Sequence, residues 1–155
     1  MVSERIAYEE SPRTSVAAWL GEGEVEIRAL STSDIPAFRA LRLDALRLHP
    51  ESFVPTYEEE RGVEAAAVAA RFRNDWINDG NFILGAYRNG WLVGAIGVKR
   101  WLRQKQRHKA TIWLLYTHAD MRGRGTGRKL LEAAIERCRH DPEIEIVHLS
   151  VGRES

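Results

Sequence analysis

The chain is short of cysteine, of net charge and of long apolar runs, and each shortage removes a class of protein. Its one cysteine, Cys138, leaves no partner for an internal disulfide and no cysteine-built metal cluster. The formal net charge is +1, so the basic excess of a dedicated nucleic-acid binder is missing. No stretch approaches the roughly 18 apolar residues of a membrane span. The opening residues 1–10 also lack the apolar core of a secretory signal. Together these absences point to a cytoplasmic protein with no membrane and no nucleic acid among its partners. Internal repeats and low-complexity linkers are missing too, and 155 residues are enough for one domain with a buried core.

What the chain does have is periodicity. Residues 24–30 alternate with period two and read as a first strand. Ser31-Thr-Ser-Asp34 matches a capping box, with Ser33 a rival cap because it keeps Pro36 in the first helical turn. Phe38, Leu41, Ala45 and Leu48 follow at helical spacing and stop before Pro50. A loop through Phe53, Pro55 and Tyr57 then precedes a second helix expected over 63–77, built on the alanine-rich 65–70 with Phe72 and Trp76. Residues 81–87 and 91–98 read as a hairpin, since Asn89-Gly90 suits a tight primed turn. A basic loop near 103–109 leads into a strand at 110–117, and 143–151 reads as the last strand. The expected order is β-α-α-β-β-β-α-β, an α/β (α+β) fold. Residues 1–22, broken by Pro12 and Gly21, read as an N-terminal extension to a domain at 23–155.

The most chemically loaded segment is Arg122-Gly123-Arg124-Gly125-Thr126-Gly127. It opens onto residues 128–139, whose Leu130, Leu131, Ala134, Ile135 and Cys138 mark one face of an amphipathic helix. Glycines on alternate positions leave no side chain to hold a ligand off the backbone. A strand, a glycine-rich turn and a helix N-terminus bring unpaired N–H groups and the positive end of the helix dipole to one point. Arg122, Arg124 and Arg128 add full charges to these partial ones. The segment reads as a pyrophosphate cradle. It is not a Walker loop, because the lysine is displaced to Lys129 and Leu130 follows it where a hydroxyl is required. It is not the dinucleotide fingerprint either, because the third glycine comes one residue early. The plainer alternatives are a turn with solvated arginines or an arginine-glycine RNA-binding segment. Its place between two strongly patterned elements counts against both.

The spacing [QR]-x-x-G-x-[GA], filled by Arg122, Gly125 and Gly127 between Leu115-Tyr116-Thr117 and Leu130-Leu131, resembles the acetyl-CoA motif of the GNAT superfamily of N-acetyltransferases. The resemblance covers roughly residues 24–155 and implies a mixed, mostly antiparallel sheet with helices on both faces. It further implies acetyl-CoA as acetyl donor, no metal, and a primary amine of a small molecule or peptide as acceptor. By the same resemblance, the backbone of Leu115, Tyr116 and Thr117 would pair with the pantetheine arm. The amides of Gly123, Arg124, Gly125, Thr126 and Gly127 would take the pyrophosphate, with Arg122 and Arg128 nearby.

Two departures from the family pattern stand out. Many relatives carry a glutamate near the start of the strand before the cradle, where it acts through water as general base, and Thr111 stands there instead. His118, His108, Glu58, Glu59 and Asp75 are replacement candidates, and none is assigned. Relatives also continue beyond the last strand to a tyrosine that resembles a general acid, whereas this sequence reaches the preceding asparagine position with Ser155. The domain is therefore expected to be incomplete at its C-terminus, or completed by a partner, a second copy included. Two rival functions follow. One is a non-catalytic acyl-CoA-binding module. The other is a nucleic-acid binder built on the basic run Lys99, Arg100, Arg103, Lys105, Arg107, His108 and Lys109, against which the net charge counts.

Overall fold

The alternating segments become strands of one sheet in the computed structural model, which describes residues 25–48, 56–78, 80–101, 104–121 and 123–149. The strands are β1 (Glu26–Ala29), β2 (Phe82–Arg88), β3 (Trp91–Arg100), β4 (Lys109–Thr117) and β5 (Ile146–Leu149), in the order β1-β2-β3-β4-β5. The first four pair antiparallel, and β5 lies parallel to β4. A parallel neighbour needs a long crossover, and the helix after the glycine loop supplies it. The sheet is mixed and mostly antiparallel, as expected. Asn89 and Gly90 turn the central hairpin with φ of 50° and 84°, the left-handed pair that a primed turn demands.

Among the described residues four α-helices accompany the sheet: α1 (Ile35–Leu48), α2 (Tyr57–Arg61), α3 (Ala65–Arg71) and α4 (Thr126–Arg139). Helix α2 falls where the sequence reads as a loop. Its cause is a capping box, in which the Glu59 amide donates to Thr56 Oγ1 at 3.1 Å and the Thr56 amide to Glu59 Oε1 at 2.8 Å. The helix expected over 63–77 is also not continuous. After α3 the chain widens into a π-helical turn, Phe72–Trp76, which turns both aromatic rings inward. Phe72 and Trp76 meet Phe38 edge-on, with ring centroids 5.9 and 5.6 Å away. Leu48, expected in the stripe of α1, is instead 47% exposed at the helix end. The expected extension at 1–22, and the last strand beyond Leu149, lie outside the described residues.

The two sheet faces carry separate cores. On one, Phe38, Leu41 and Ala45 of α1 pack with Phe72 and Trp76 over Ile83, Ala95, Leu114 and Tyr116. On the other, Leu130, Ala134 and Cys138 of α4 cover Val93, Ile96, Val98 and Ile112. A bulge divides the loyalties of β4. Gly97 pairs with Leu114 but Val98 with Ile112, so Trp113 is an extra residue. Ile112 therefore faces α4, while Leu114 and Tyr116, two and four residues on, face α1. Gly97 accommodates the bulge, since a Cβ there would stand 2.6 Å from the Trp113 indole.

Ion pairs fasten the periphery. Asp34, 3% exposed, accepts from both terminal nitrogens of Arg28 at 3.2 Å, from the Ser31 amide at 2.9 Å and from the Tyr87 hydroxyl at 2.8 Å. Burial pushes its carboxyl up, but Arg28, the Ser31 amide and Tyr87 together hold it below the usual aspartate value. Three residues of the basic run, Lys99, Arg100 and Arg107, form ion pairs within the chain. Arg100 reaches Asp141 at 2.7 Å and Glu143 at 3.0 Å, Arg107 approaches Glu143 at 3.5 Å, and Lys99 pairs with Asp75 at 3.1 Å. The bonds to Asp141 and Glu143 tie the turn before β5 to the sheet. Arg103 lies outside the described residues.

Candidate functional site

The site is built where β4 ends. Its last residues alternate, with Leu114 and Tyr116 buried and Leu115 37% exposed toward the α4 side. The chain then turns over residues 118–121. The His118 amide donates to Val93 O, the Met121 amide to His118 O, both at 2.8 Å, and the Asp120 amide to His118 Nδ1 at 3.1 Å. Met121, fully buried, anchors the turn beneath the sheet. The loop can then cross back only through left-handed residues: Gly123 has φ 78° and Gly125 has φ 80°. Gly125 caps α4, and the Lys129 amide closes the first helical bond on Gly125 O at 3.0 Å. Helix α4 thus starts at Thr126, two residues ahead of the expected 128–139.

Between strand end and helix start lies a cavity of about 370 Å³. Strand β4 contributes Leu115, Tyr116 and Thr117; the turn contributes Met121; the loop and helix start contribute Gly123, Gly125, Thr126 and Gly127. A Cβ at Gly123 or Gly125 would meet no protein atom within 4 Å, so the room beside these glycines is open for something other than protein. Gly94 acts differently. A Cβ there would stand 3.1 Å from both Leu130 Cδ1 and Tyr116 O, so its absence lets α4 lie close to the sheet. By helix geometry the first amides of α4 have no intrahelical partner and aim at the cavity with the positive dipole end.

The arginines behave differently from the glycines. Arg124 is exposed in the loop but does not line the cavity. Arg128 is 82% exposed and turns along the helix to Glu132, at 3.2 Å. Arg122 lies outside the described residues. Of the expected cradle, the structure gathers the strand end and the glycine backbone, and it leaves the full charges of Arg124 and Arg128 at the rim.

None of the candidate bases stands ready beside the cavity. His118 is buried, its Nδ1 taken by the Asp120 amide and its Nε2 3.8 Å from Asp44 Oδ2 on α1. Asp75 is held by Lys99, Glu59 caps α2, and Glu58 sits exposed on that same short helix. His108 serves through its carbonyl, which receives the Glu145 and Ile146 amides at 2.8 and 3.0 Å. Thr111 accepts the Trp101 indole N–H at 2.7 Å. Cys138 is 3% exposed and burial pushes its thiol up, as befits a core residue rather than a nucleophile. Among the described residues no cluster of three or more metal-ligating side chains occurs, and no helix is long and apolar enough to cross a membrane.

Residues 42–154 match the family model described as acetyltransferase (GNAT) family. No curated protein matches the sequence. Among solved structures, the acetyltransferase of GNAT family from Streptococcus pneumoniae superposes with a TM-score of 0.68 at 18% identity, over 85% of this chain and 77% of that one. The ribosomal-protein-alanine N-acetyltransferase of Brucella melitensis biovar Abortus 2308 gives 0.64 at 18% identity, over 84% and 82%. A predicted acetyltransferase with acetyl-CoA from Clostridium acetobutylicum gives 0.62 at 17% identity, over 84% and 82%. At these identities the likeness is one of fold.

Proposed function

The chain belongs to the GNAT acetyltransferase family, and from that premise we propose that it moves an acetyl group from acetyl-CoA to a primary amine by direct attack. The observation that carries this reading is the cavity at the end of β4, walled by Leu115 and Thr117 on one side and by Gly123, Gly125 and Gly127 on the other. An extended pantetheine arm would add to the far stretch of β4, since the described ladder with β5 ends at Ile112 and Leu149. The pyrophosphate would then rest on the amides that open α4, and the rim charges of Arg124 and Arg128 would attract it from solution. A backbone N–H near Thr117 is the candidate donor to the thioester oxygen. The acceptor is a small-molecule or peptide amine, the domain spans 23–155, and the donor implies a cytoplasmic setting.

A non-catalytic acyl-CoA-binding module is the second reading. It is favoured by Thr111, which stands in the family's base position with its hydroxyl engaged by Trp101. Calorimetry with acetyl-CoA, followed by thiol release in the presence of a panel of primary amines, separates the two. Binding with turnover supports the enzyme, and binding without turnover supports the module. Absence of any acetyl-CoA binding would sink both.

A further inference from the structure

We propose that His148 is the general base of this acetyl transfer, receiving a proton from the acceptor's ammonium on the sheet face opposite the acetyl-CoA cavity. The proposal rests on the acetyltransferase reading above. It begins from the register of the sheet. Lys99 on β3 pairs with Thr111 on β4, and Thr111 pairs with His148 on β5. Paired residues of neighbouring strands share a face, with the strands about 4.8 Å apart. Ile112 packs under α4, so Thr111 and with it His148 point to the other side.

That side is the one an acceptor needs. The cavity lies toward α4, where Leu115 and Thr117 point, so the donor fills that face and the amine must reach the thioester carbon from the opposite one. The proton acceptor must stand there too. His148 is exposed on that face, next to the residue that replaces the family's glutamate. Its ring is steadied by an aromatic neighbour. The imidazole lies 6.0 Å from the Trp101 ring at 34°, and Trp101 is itself fixed by its N–H on Thr111 Oγ1. Thr117, near which the thioester oxygen is placed, is six residues along from Thr111, roughly 20 Å at about 3.3 Å per residue, so the proton travels through a chain of bridging waters. Among the described residues, the charged groups on this face include Lys109, with Nζ 5.2 Å over the Trp101 ring, Lys99 with its partner Asp75, and Arg42 of α1, which lies 5.3 Å over the Trp113 ring and pairs with Glu60.

The step balances. The ammonium passes one proton through water to the imidazole, which frees the nitrogen lone pair. That pair attacks the thioester carbon, a C–N bond forms and the C–S bond breaks. The departing sulfur leaves with a second proton from the nitrogen, giving an amide, a free thiol and one imidazolium that returns its proton to water.

The test compares His148→Gln with the parent protein, using acetyl-CoA and two kinds of acceptor, primary alkylamines and an arylamine that is already neutral at pH 7. Acetyl-CoA affinity measured by calorimetry should stay within about twofold. Turnover with the alkylamines should fall about 100-fold or more, the usual contribution of a general base. Turnover with the arylamine, which has no ammonium proton to give up, should fall less than tenfold. The acid limb of kcat/KM for alkylamines should vanish in His148→Gln. It should reappear at lower pH in His148→Glu, together with part of the activity. Unchanged alkylamine turnover in His148→Gln, or equal losses with both kinds of acceptor, would overturn the proposal while leaving the acetyltransferase reading intact. Parent protein that neither binds acetyl-CoA nor releases thiol would overturn both.

Discussion

Gly125→Ala is the sharpest probe of the cavity, because the structure also supplies its control. Gly125 has φ 80° and Gly90 has φ 84°, and a Cβ at either meets no protein atom within 4 Å. Both therefore pose the same backbone problem to alanine, with no clash to add. Placing an L side chain in the left-handed region costs about 1–2 kcal/mol. For a domain of this size each kcal/mol lowers Tm by about 2–4 °C, so both variants should melt roughly 2–8 °C below the parent. The difference lies in what borders the open space. Gly90 closes the β2–β3 hairpin, whereas Gly125 lines the 370 Å³ cavity at the start of α4. If the loop is the proposed pyrophosphate cradle, a methyl group there would hold a phosphate away from the backbone and lengthen at least one charge-assisted bond. Such a bond contributes about 1.5–3 kcal/mol, or roughly ten- to a hundredfold in Kd. Acetyl-CoA titration by calorimetry, with thermal melts of the same preparations, reads both quantities. Gly90→Ala should bind like the parent and Gly125→Ala should not. Equal affinity in the two variants would refute the cradle, and unequal melting would refute the strain argument.

Two further outcomes follow from the fold. Asp34→Asn should lose about 2 kcal/mol at pH 7, less than the 3–5 of a fully buried pair because Arg28 is 43% exposed. Because the native Asp34 carboxyl is held below its unfolded value, its stabilisation is present above about pH 4 and disappears as pH falls through the native value. Glu60, lowered by Arg42 and Arg71 against the opposing effect of burial, adds to the same acid-side loss in the parent. Urea unfolding across pH should therefore show the gap between parent and Asp34→Asn narrowing toward acid, and a constant gap would contradict the ion-pair account. Gly97→Ala should destabilise by about 1–3 kcal/mol, because its Cβ would overlap the Trp113 indole at 2.6 Å and the ring has Trp76 on its flank. Unchanged melting would mean the bulge yields more readily than its packing suggests.

What the sequence determined by itself is local. The period-two runs, the Asn89-Gly90 turn and the alternate glycines before a 3.6-period stripe each act through residues a few positions apart, and chemistry at that range is written in order along the chain. The glycine-loop motif is legible for the same reason, since a glycine loop between a strand and a helix is contiguous. The capping box at Thr56 and Glu59 is equally local, but the loop signals around Pro55 mask it. Other features needed the fold. The shift of Trp113 at the bulge reverses which side chains of β4 face α1, and no periodicity within β4 announces it. The basic run near 99–109 acquires its meaning from Asp141 and Glu143, some 40 residues on, and Arg128 turns from the cavity toward Glu132. His148 is the clearest case. In the sequence it is one histidine in an alternating strand, and only the parallel register of β5 on β4 sets it beside Thr111. Register between strands is decided by packing of the whole sheet against its helices, a property of contacts across the chain rather than along it.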